Sequence, residues 1–277
     1  MEIPRKEHPQ PQMERKDWIN LNGEWEFEED PGCSGEERKI YEKPFSQKIC
    51  VPFCPESELS GIGKKDFMNC VWYRKTVKTP EHWNTGHIFL HFGAVDYQAD
   101  VYVNHIHMGT HCGGYTSFCM DVTQQWNTDG ENIIAVCAKD DVRCGLQPKG
   151  KQSSLFFSHA CDYTRTTGIW QTVWMEYVPK QYIKSVKYYP DAENGTLLIQ
   201  AKVEGEGVLK AEAFYQGKPM ATGSVICKKE MVSLTLPLEE KHLWELGEGN
   251  LYDLVLQFGE DEVNSYFGLR DIALKGM

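Results

Sequence analysis

Large apolar residues recur at short intervals along this chain, separated by turn-forming residues, with almost no helical periodicity. Glu24-Trp25-Glu26-Phe27 alternates like a half-buried strand after the turn dipeptide Asn22-Gly23. Strands are predicted over Cys70–Lys78, His87–Phe92, Asp96–Val103, Ile106–Met108, Tyr115–Val122 and Glu131–Lys139. A tight turn at Asn104-His105 joins two of them into a hairpin. The stretch Ile169–Val178 is rich in aromatic and β-branched residues and is bounded by Gly168 and Pro179. It predicts a strand packed on both faces, with Trp170, Thr172 and Trp174 on one side and Ile169, Val173, Met175 and Tyr177 on the other. Between Asp140 and Asp162 the pattern lapses. Gly145, Pro148, Gly150, Ser153, Ser154 and Ser158 break it, and loops of such length inside compact domains are often functional.

After Pro179 the texture changes. About seven short strands follow, over residues 182–189, 196–204, 208–215, 218–227, 231–237, 251–258 and 263–274, with glycine turns between them. That size and count suit an immunoglobulin-like sandwich, although its Cys–Trp–Cys framework is missing. The expected organisation is a loose arm over residues 1–14, a β-sandwich or jelly roll over 15–180, and a second sandwich over 181–277. Val51-Pro52-Phe53-Cys54-Pro55-Glu56 holds two prolines and is expected to be a stiff surface segment.

Composition narrows the function classes. At 277 residues, with 41% hydrophobic and 25% charged positions, the chain can bury a sizeable core. Its net charge of −11 is spread along the sequence without a basic block, which argues against nucleic acid or an anionic membrane as partner. No apolar run is long enough to span a bilayer, and the N-terminus lacks the apolar segment of a signal peptide, so a cytoplasmic location is expected. None of the ten cysteines is spaced Cys-x-x-Cys, and they are expected to be reduced, buried small hydrophobes. His105 and His107 share a strand face that could ligate metal, but spacing fixes no third ligand; no metal or cofactor is called for.

Several pieces together carry a resemblance. Leu21-Asn22-Gly23-Glu24-Trp25, Val51-Pro52-Phe53, Trp72-Tyr73-Arg74-Lys75, Phe92-Gly93-Ala94-Val95-Asp96 and Val101-Tyr102-Val103-Asn104 stand in that order. Gly113-Gly114-Tyr115-Thr116-Ser117-Phe118 and Gly168-Ile169-Trp170-Gln171 follow, and Ser265-Tyr266-Phe267-Gly268-Leu269-Arg270 closes the set. The ordered set resembles the first two domains of glycoside hydrolase family 2, which includes β-galactosidases, β-glucuronidases and β-mannosidases. The resemblance implies a galactose-binding-like jelly roll followed by an immunoglobulin-like β-sandwich. It also implies a catalytic barrel beyond residue 277, carrying two glutamates. No Asn-Glu dipeptide, the usual setting of the acid/base residue, occurs in this sequence. The expectation is a non-catalytic portion of a retaining glycosidase.

Retaining glycoside hydrolysis needs two carboxyls about 5–5.5 Å apart. The adjacent acids here, Asp140-Asp141, Glu28-Glu29-Asp30 and Glu260-Asp261-Glu262, point to alternate faces and are expected to be solvated charge. Asp162 stands apart, at a loop-to-strand junction. The resemblance implies that it reaches sugar hydroxyls in the barrel's pocket; the local alternative is a turn aspartate capping backbone amides. Arg165 is expected to pair with Asp162 or with the barrel, and Asn69 lies where the family can place a second sugar contact. Gln147, Lys149 and Lys151 decorate the same loop. Partners are thus a β-glycoside and a barrel domain, with homo-oligomer formation open. Two other functions compete: a free-standing carbohydrate-binding module, for which Trp83, Trp126 and Trp170 are candidate platforms, and a purely structural or adhesive β-protein.

Overall fold

The computed structural model describes residues 3–272 and contains strands, turns and two short 3-10 segments, Ile40–Glu42 and Glu58–Ser60. Among the described residues no helix is long and apolar enough to cross a membrane. The chain divides into two compact units. One joins the start of the chain up to Pro9 with Trp18–Tyr177; the other joins Gln10–Asp17 with the chain from Val178 onward.

In the first unit, a six-stranded antiparallel sheet runs in the order Gln47–Val51, Gly23–Glu29, Cys70–Lys78, Glu131–Lys139, Gln98–Val103, Ile106–Cys112. A four-stranded sheet contains Trp18–Asn20, Val173–Val178, His87–Phe92 and Phe118–Asp121. Alternate residues of both sheets meet in one core that includes Trp25, Phe27, Tyr73, Leu90, Phe92, Val101, Ile134, Val136, Val173 and Met175. This is the packing that period-two patterning requires. Trp83 and Trp126 lie in that core, at 1% and 5% exposure, so neither indole is a surface platform.

The stretch predicted as one strand over Ile169–Val178 is two. Gly168–Ile169 pairs with Val95–Asp96, whereas Val173–Val178 joins the four-stranded sheet. The break falls at Trp170–Thr172, where Gly93 approaches the Gln171 side chain and donates its N–H to the Thr172 carbonyl. The face assignment holds for Ile169, Val173 and Met175, which enter the core, while Trp174 stacks on His91 across the sheet's other side. Gly168 has φ of 73°, and its Cα lies against the hydroxyl of the fully buried Tyr73, which accepts the Ile169 N–H at 3.3 Å. Only glycine meets both demands.

The second unit has a three-stranded sheet (Tyr182–Asp191, Thr196–Glu204, Met231–Pro237) and a four-stranded one (Lys218–Cys227, Gly207–Tyr215, Tyr252–Phe258, Asp261–Phe267). Leu197, Ile199, Leu209, Leu254, Leu256 and Phe258 are among its core residues. The last strand is shorter than expected; Ala273 and Leu274 lie outside the described residues.

Four expectations need correction. The arm over residues 1–14 is not uniformly loose, since Glu14 exchanges backbone hydrogen bonds with Asn264; directly after it, Arg15 forms a buried ion pair with Asp261, Nε to Oδ1 at 2.7 Å. The Val51–Glu56 segment is not on the surface, since Val51, Pro52, Pro55 and Glu56 are buried. Acids expected to be solvated are instead enclosed: Asp30, Asp140 and Asp261 are 2%, 4% and 2% exposed, each with bonded donors in place of water. All ten cysteines are free, but Cys33, Cys112, Cys119, Cys144 and Cys161 are exposed; Cys33, Cys144 and Cys161 stand in turns or bends, Cys112 at a strand end, and Cys119 on the outer face of the short strand Phe118–Asp121.

Removing one partner of a buried pair strands the other charge. Arg15→Ala is therefore expected to destabilise the second unit by about 3–5 kcal/mol, read as lost hydrogen-exchange protection in its strands. Gly168→Ala is expected to cost at least about 2 kcal/mol through strain and displacement of Tyr73, measured as a lowered denaturant midpoint.

Candidate functional site: a loop anchored from beneath

Between Lys139 and Gly168 the described chain forms no strand and is held by two isolated bridges, Gln152 with Tyr163 and His159 with Asp162. Its polarity is inverted. Leu146, Phe156, Phe157 and Tyr163 are 92%, 64%, 64% and 60% open to solvent, while Gln152, Ser153, Arg165 and Thr167 are buried. A loop without ladder partners must satisfy its backbone polar groups some other way, and side chains turned inward do so here.

Arg165 is the main tie. One guanidinium nitrogen donates to the carbonyls of Ser153, at 3.1 Å, and Leu155, at 2.6 Å; the other donates to the carbonyl of Lys65. Its plane lies 4.1 Å from the Phe67 ring, which also meets Phe156 edge-on. The fork geometry suits several carbonyls at once. Gln152 adds a second tie: its amide donates to Asp96 at 2.8 Å, and its oxygen accepts the Thr166 N–H at 2.7 Å. Ser153 donates to the Phe157 carbonyl and accepts the Leu155 N–H. At the loop's end, Glu56 accepts both the hydroxyl and the N–H of Thr167.

Asp162 sits on the outer side. Its backbone exchanges hydrogen bonds with His159 at 2.8 and 3.1 Å, closing a tight turn. The carboxylate Oδ2 lies 3.2 Å from Lys149 Nζ and 3.9 Å from His159 Nε2, and the side chain is 22% exposed. Its partners are thus basic side chains, not the backbone amides of a turn cap. Lys149 also donates to the Gln152 carbonyl, which fixes it beside Asp162. An exposed carboxylate held this way can accept hydroxyl hydrogens at fixed geometry.

The three candidates from sequence do not form a contacting set among the described residues. Arg165 does not pair with Asp162; it is 4% exposed and holds the loop through carbonyls. Asn69 is half-buried at the loop's root, where its carbonyl accepts the Asp140 N–H at 3.0 Å. Gln147 caps Asp140 at 2.6 Å rather than facing solvent.

Sequence reasoning missed the acids beneath the loop. Glu56, Asp96 and Asp140 are 4%, 0% and 4% exposed. Burial pushes the Asp96 carboxyl up to about 6, with the Glu56 charge adding to the rise and the Gln152 hydrogen bond opposing it. Burial pushes Asp140 up to about 7, reinforced by the charge of Asp96. Glu56 is raised by burial, against the two Thr167 hydrogen bonds. Such enclosed groups cannot flank a substrate. The available signals are an acid directly after Pro55, one directly ending an apolar run at Asp96, and one a single residue beyond an apolar run at Asp140.

Comparison with known proteins agrees with this architecture. Residues 19–179 match the glycosyl hydrolases family 2 sugar-binding domain, and residues 181–270 match a second glycosyl hydrolases family 2 domain. A β-glucuronidase of Paenibacillus borealis is 23% identical over 280 residues, covering 93% of this chain and 46% of that protein. A β-galactosidase of Thermoanaerobacter pseudethanolicus is 33% identical over 129 residues, covering 46% of this chain and 16% of that protein. The solved structure of a β-glucuronidase from an uncultured Clostridium sp. superposes with a TM-score of 0.76 at 25% identity, covering 95% of this chain and 47% of that one. The chain spans about half the length of the β-glucuronidases that it matches over nearly all of its own length. With two successive family domains matched over nearly all its described residues, this chain belongs to glycosyl hydrolase family 2.

Proposed function

We propose that this chain is the non-catalytic portion of a retaining β-glycosidase, supplying one wall of the sugar site while a barrel domain supplies the reacting carboxyls. The carrying observation is Asp162: a carboxylate on the outer side of a loop tied inward by the buried side chains of Arg165 and Gln152. The relatives named as β-glucuronidases and β-galactosidases support a β-glycoside as substrate. Within the described residues, Glu56, Asp96 and Asp140 are the clustered acids of this region, and enclosure keeps them from an acid/base or nucleophilic role. The exposed Phe156, Phe157 and Tyr163 surround the turn and suit a face covered by another domain.

The same three exposed rings favour a second reading, a free-standing carbohydrate-binding module, because aromatic faces stack on sugars. Calorimetric titration of the 277-residue chain with oligosaccharides separates the two. The first reading expects no heat of binding up to millimolar sugar and no turnover of nitrophenyl β-glucuronide, β-galactoside or β-mannoside. Millimolar or tighter binding would establish the module, and turnover by the chain alone would overturn both.

In the protein that joins this chain to a catalytic domain, Asp162→Asn is expected to lower kcat/KM by roughly 10- to 100-fold, the equivalent of losing hydrogen bonds to a charged group of about 1.5–3 kcal/mol. Arg165→Lys, which touches no sugar in this reading, is expected to lower kcat/KM less and to make the Asp140–Thr167 loop more readily cut by protease, since an ammonium cannot span three carbonyls. Unchanged kinetics in Asp162→Asn would remove the sugar-contact role.

A further inference from the structure

Each of the three enclosed acids holds a different part of one loop. Asp140, at its root, accepts from Gln147; Asp96 accepts from Gln152 near its middle; Glu56 accepts twice from Thr167 at its end. All three carboxyls act on one another through space. The other titratable groups they face are the Cys54 thiol and the phenols of Tyr73 and Tyr115. None of these supplies positive charge. The loop's own basic side chains are engaged elsewhere. Arg143 and Arg165 lie over the Phe67 ring, Lys151 lies near Tyr163, and Lys149 and His159 face Asp162. Asp96 is the sharpest case: its Oδ1 is buried with no hydrogen-bond partner, pressed against Gly114. An ionised carboxylate there leaves a charged oxygen unanswered, which is costly in a dry interior.

We propose that Glu56, Asp96 and Asp140 form a proton-linked clasp, in which protons taken from solvent by the buried trio seat the Asp140–Thr167 loop and their release loosens it. Its consequence for sugar binding rests on the role proposed above for Asp162, which that loop carries; the clasp itself does not. The group titrates as a unit, so the protons belong to the trio rather than to one residue.

The sign follows from proton affinity. Unpacked, these carboxyls have ordinary values of 3.8 for aspartate and 4.5 for glutamate; packed, Asp96 and Asp140 rise to about 6 and about 7. The seated loop therefore binds more protons than the released loop between about pH 4 and about pH 7, and seating weakens as pH rises through that window.

Hydrogen exchange of the unliganded 277-residue chain tests this without any sugar. Amides of residues 141–166 are followed from pH 5 to pH 9, with each rate corrected for its intrinsic base-catalysed value. Protection of the loop is expected to fall by up to about tenfold per pH unit for each proton released as pH rises to about 7, and to level off above it. Asp140→Asn keeps an oxygen for Gln147 but carries no proton to release, and it is expected to flatten the loop's profile; Asp96→Asn serves if that variant does not fold. Loop protection that stays level from about pH 5 to about pH 7 in the wild-type chain would overturn the clasp. So would an unchanged slope in a folded neutral variant. Because exchange reads loop seating alone, a failed clasp leaves the Asp162 kinetics untouched, and an inert Asp162 leaves the exchange result standing.

Discussion

Buried polar anchoring of the Asp140–Thr167 loop is the constraint on which the rest depends. A stretch this long without strand pairing has many backbone groups to satisfy, and water reaches them only on the outer side. The solution is an inverted loop, with Gln152, Ser153, Arg165 and Thr167 turned in and Leu146, Phe156, Phe157 and Tyr163 turned out. The cost is desolvated charge. Among the described residues Arg165 meets carbonyl dipoles and an aromatic face rather than a carboxylate, and three acids lie enclosed below. What is gained is a rigid outer turn, from which Asp162 and Lys149 project with fixed geometry.

The first unit's sheets make that arrangement possible. Cys70–Lys78 and Glu131–Lys139 pair through nine registered positions, and the loop leaves directly from the end of the second strand. At its far end the chain re-enters through Gly168, whose positive φ lets it pass the Tyr73 hydroxyl. The polar core beneath the loop thus rests against an apolar one, with Tyr73 belonging to both. Its ring packs edge-on to Phe27, and its oxygen serves Ile169.

Periodicity carried the scaffold into view because one face of most strands is buried. His87–Phe92, Cys70–Lys78 and Glu131–Lys139 coincide with their expected ranges, since alternation or an unbroken apolar run marks a strand directly. The Ile169–Val178 break was hidden: nothing in Trp170-Gln171-Thr172 announces that neighbouring residues pair in different sheets. The loop's existence was legible from its glycines, prolines and serines, and Asp162 from its position before Gly168. Its partners were not. Lys149 is thirteen residues away, and only the folded path brings it to Asp162. The acids were misjudged because sequence shows charge but not enclosure; Asp140 beside Asp141 looks solvated until Gln147 and the loop cover it. The carbonyl partners of Arg165 are illegible for the same reason, since such partners leave no trace in side-chain pattern.

Placing a saccharide against this surface is the most direct trial of the wall assignment. A crystal structure of this chain joined to the catalytic domain proposed above, bound to a β-glycoside or a lactone analogue, would give the separation between the Asp162 carboxylate and the nearest sugar hydroxyl. Direct hydrogen bonding requires about 2.5–3.0 Å, with the loop still tied to Arg165 and Gln152. A fully bound sugar lying well beyond contact distance of Asp162 and of every other residue in the loop would contradict the account.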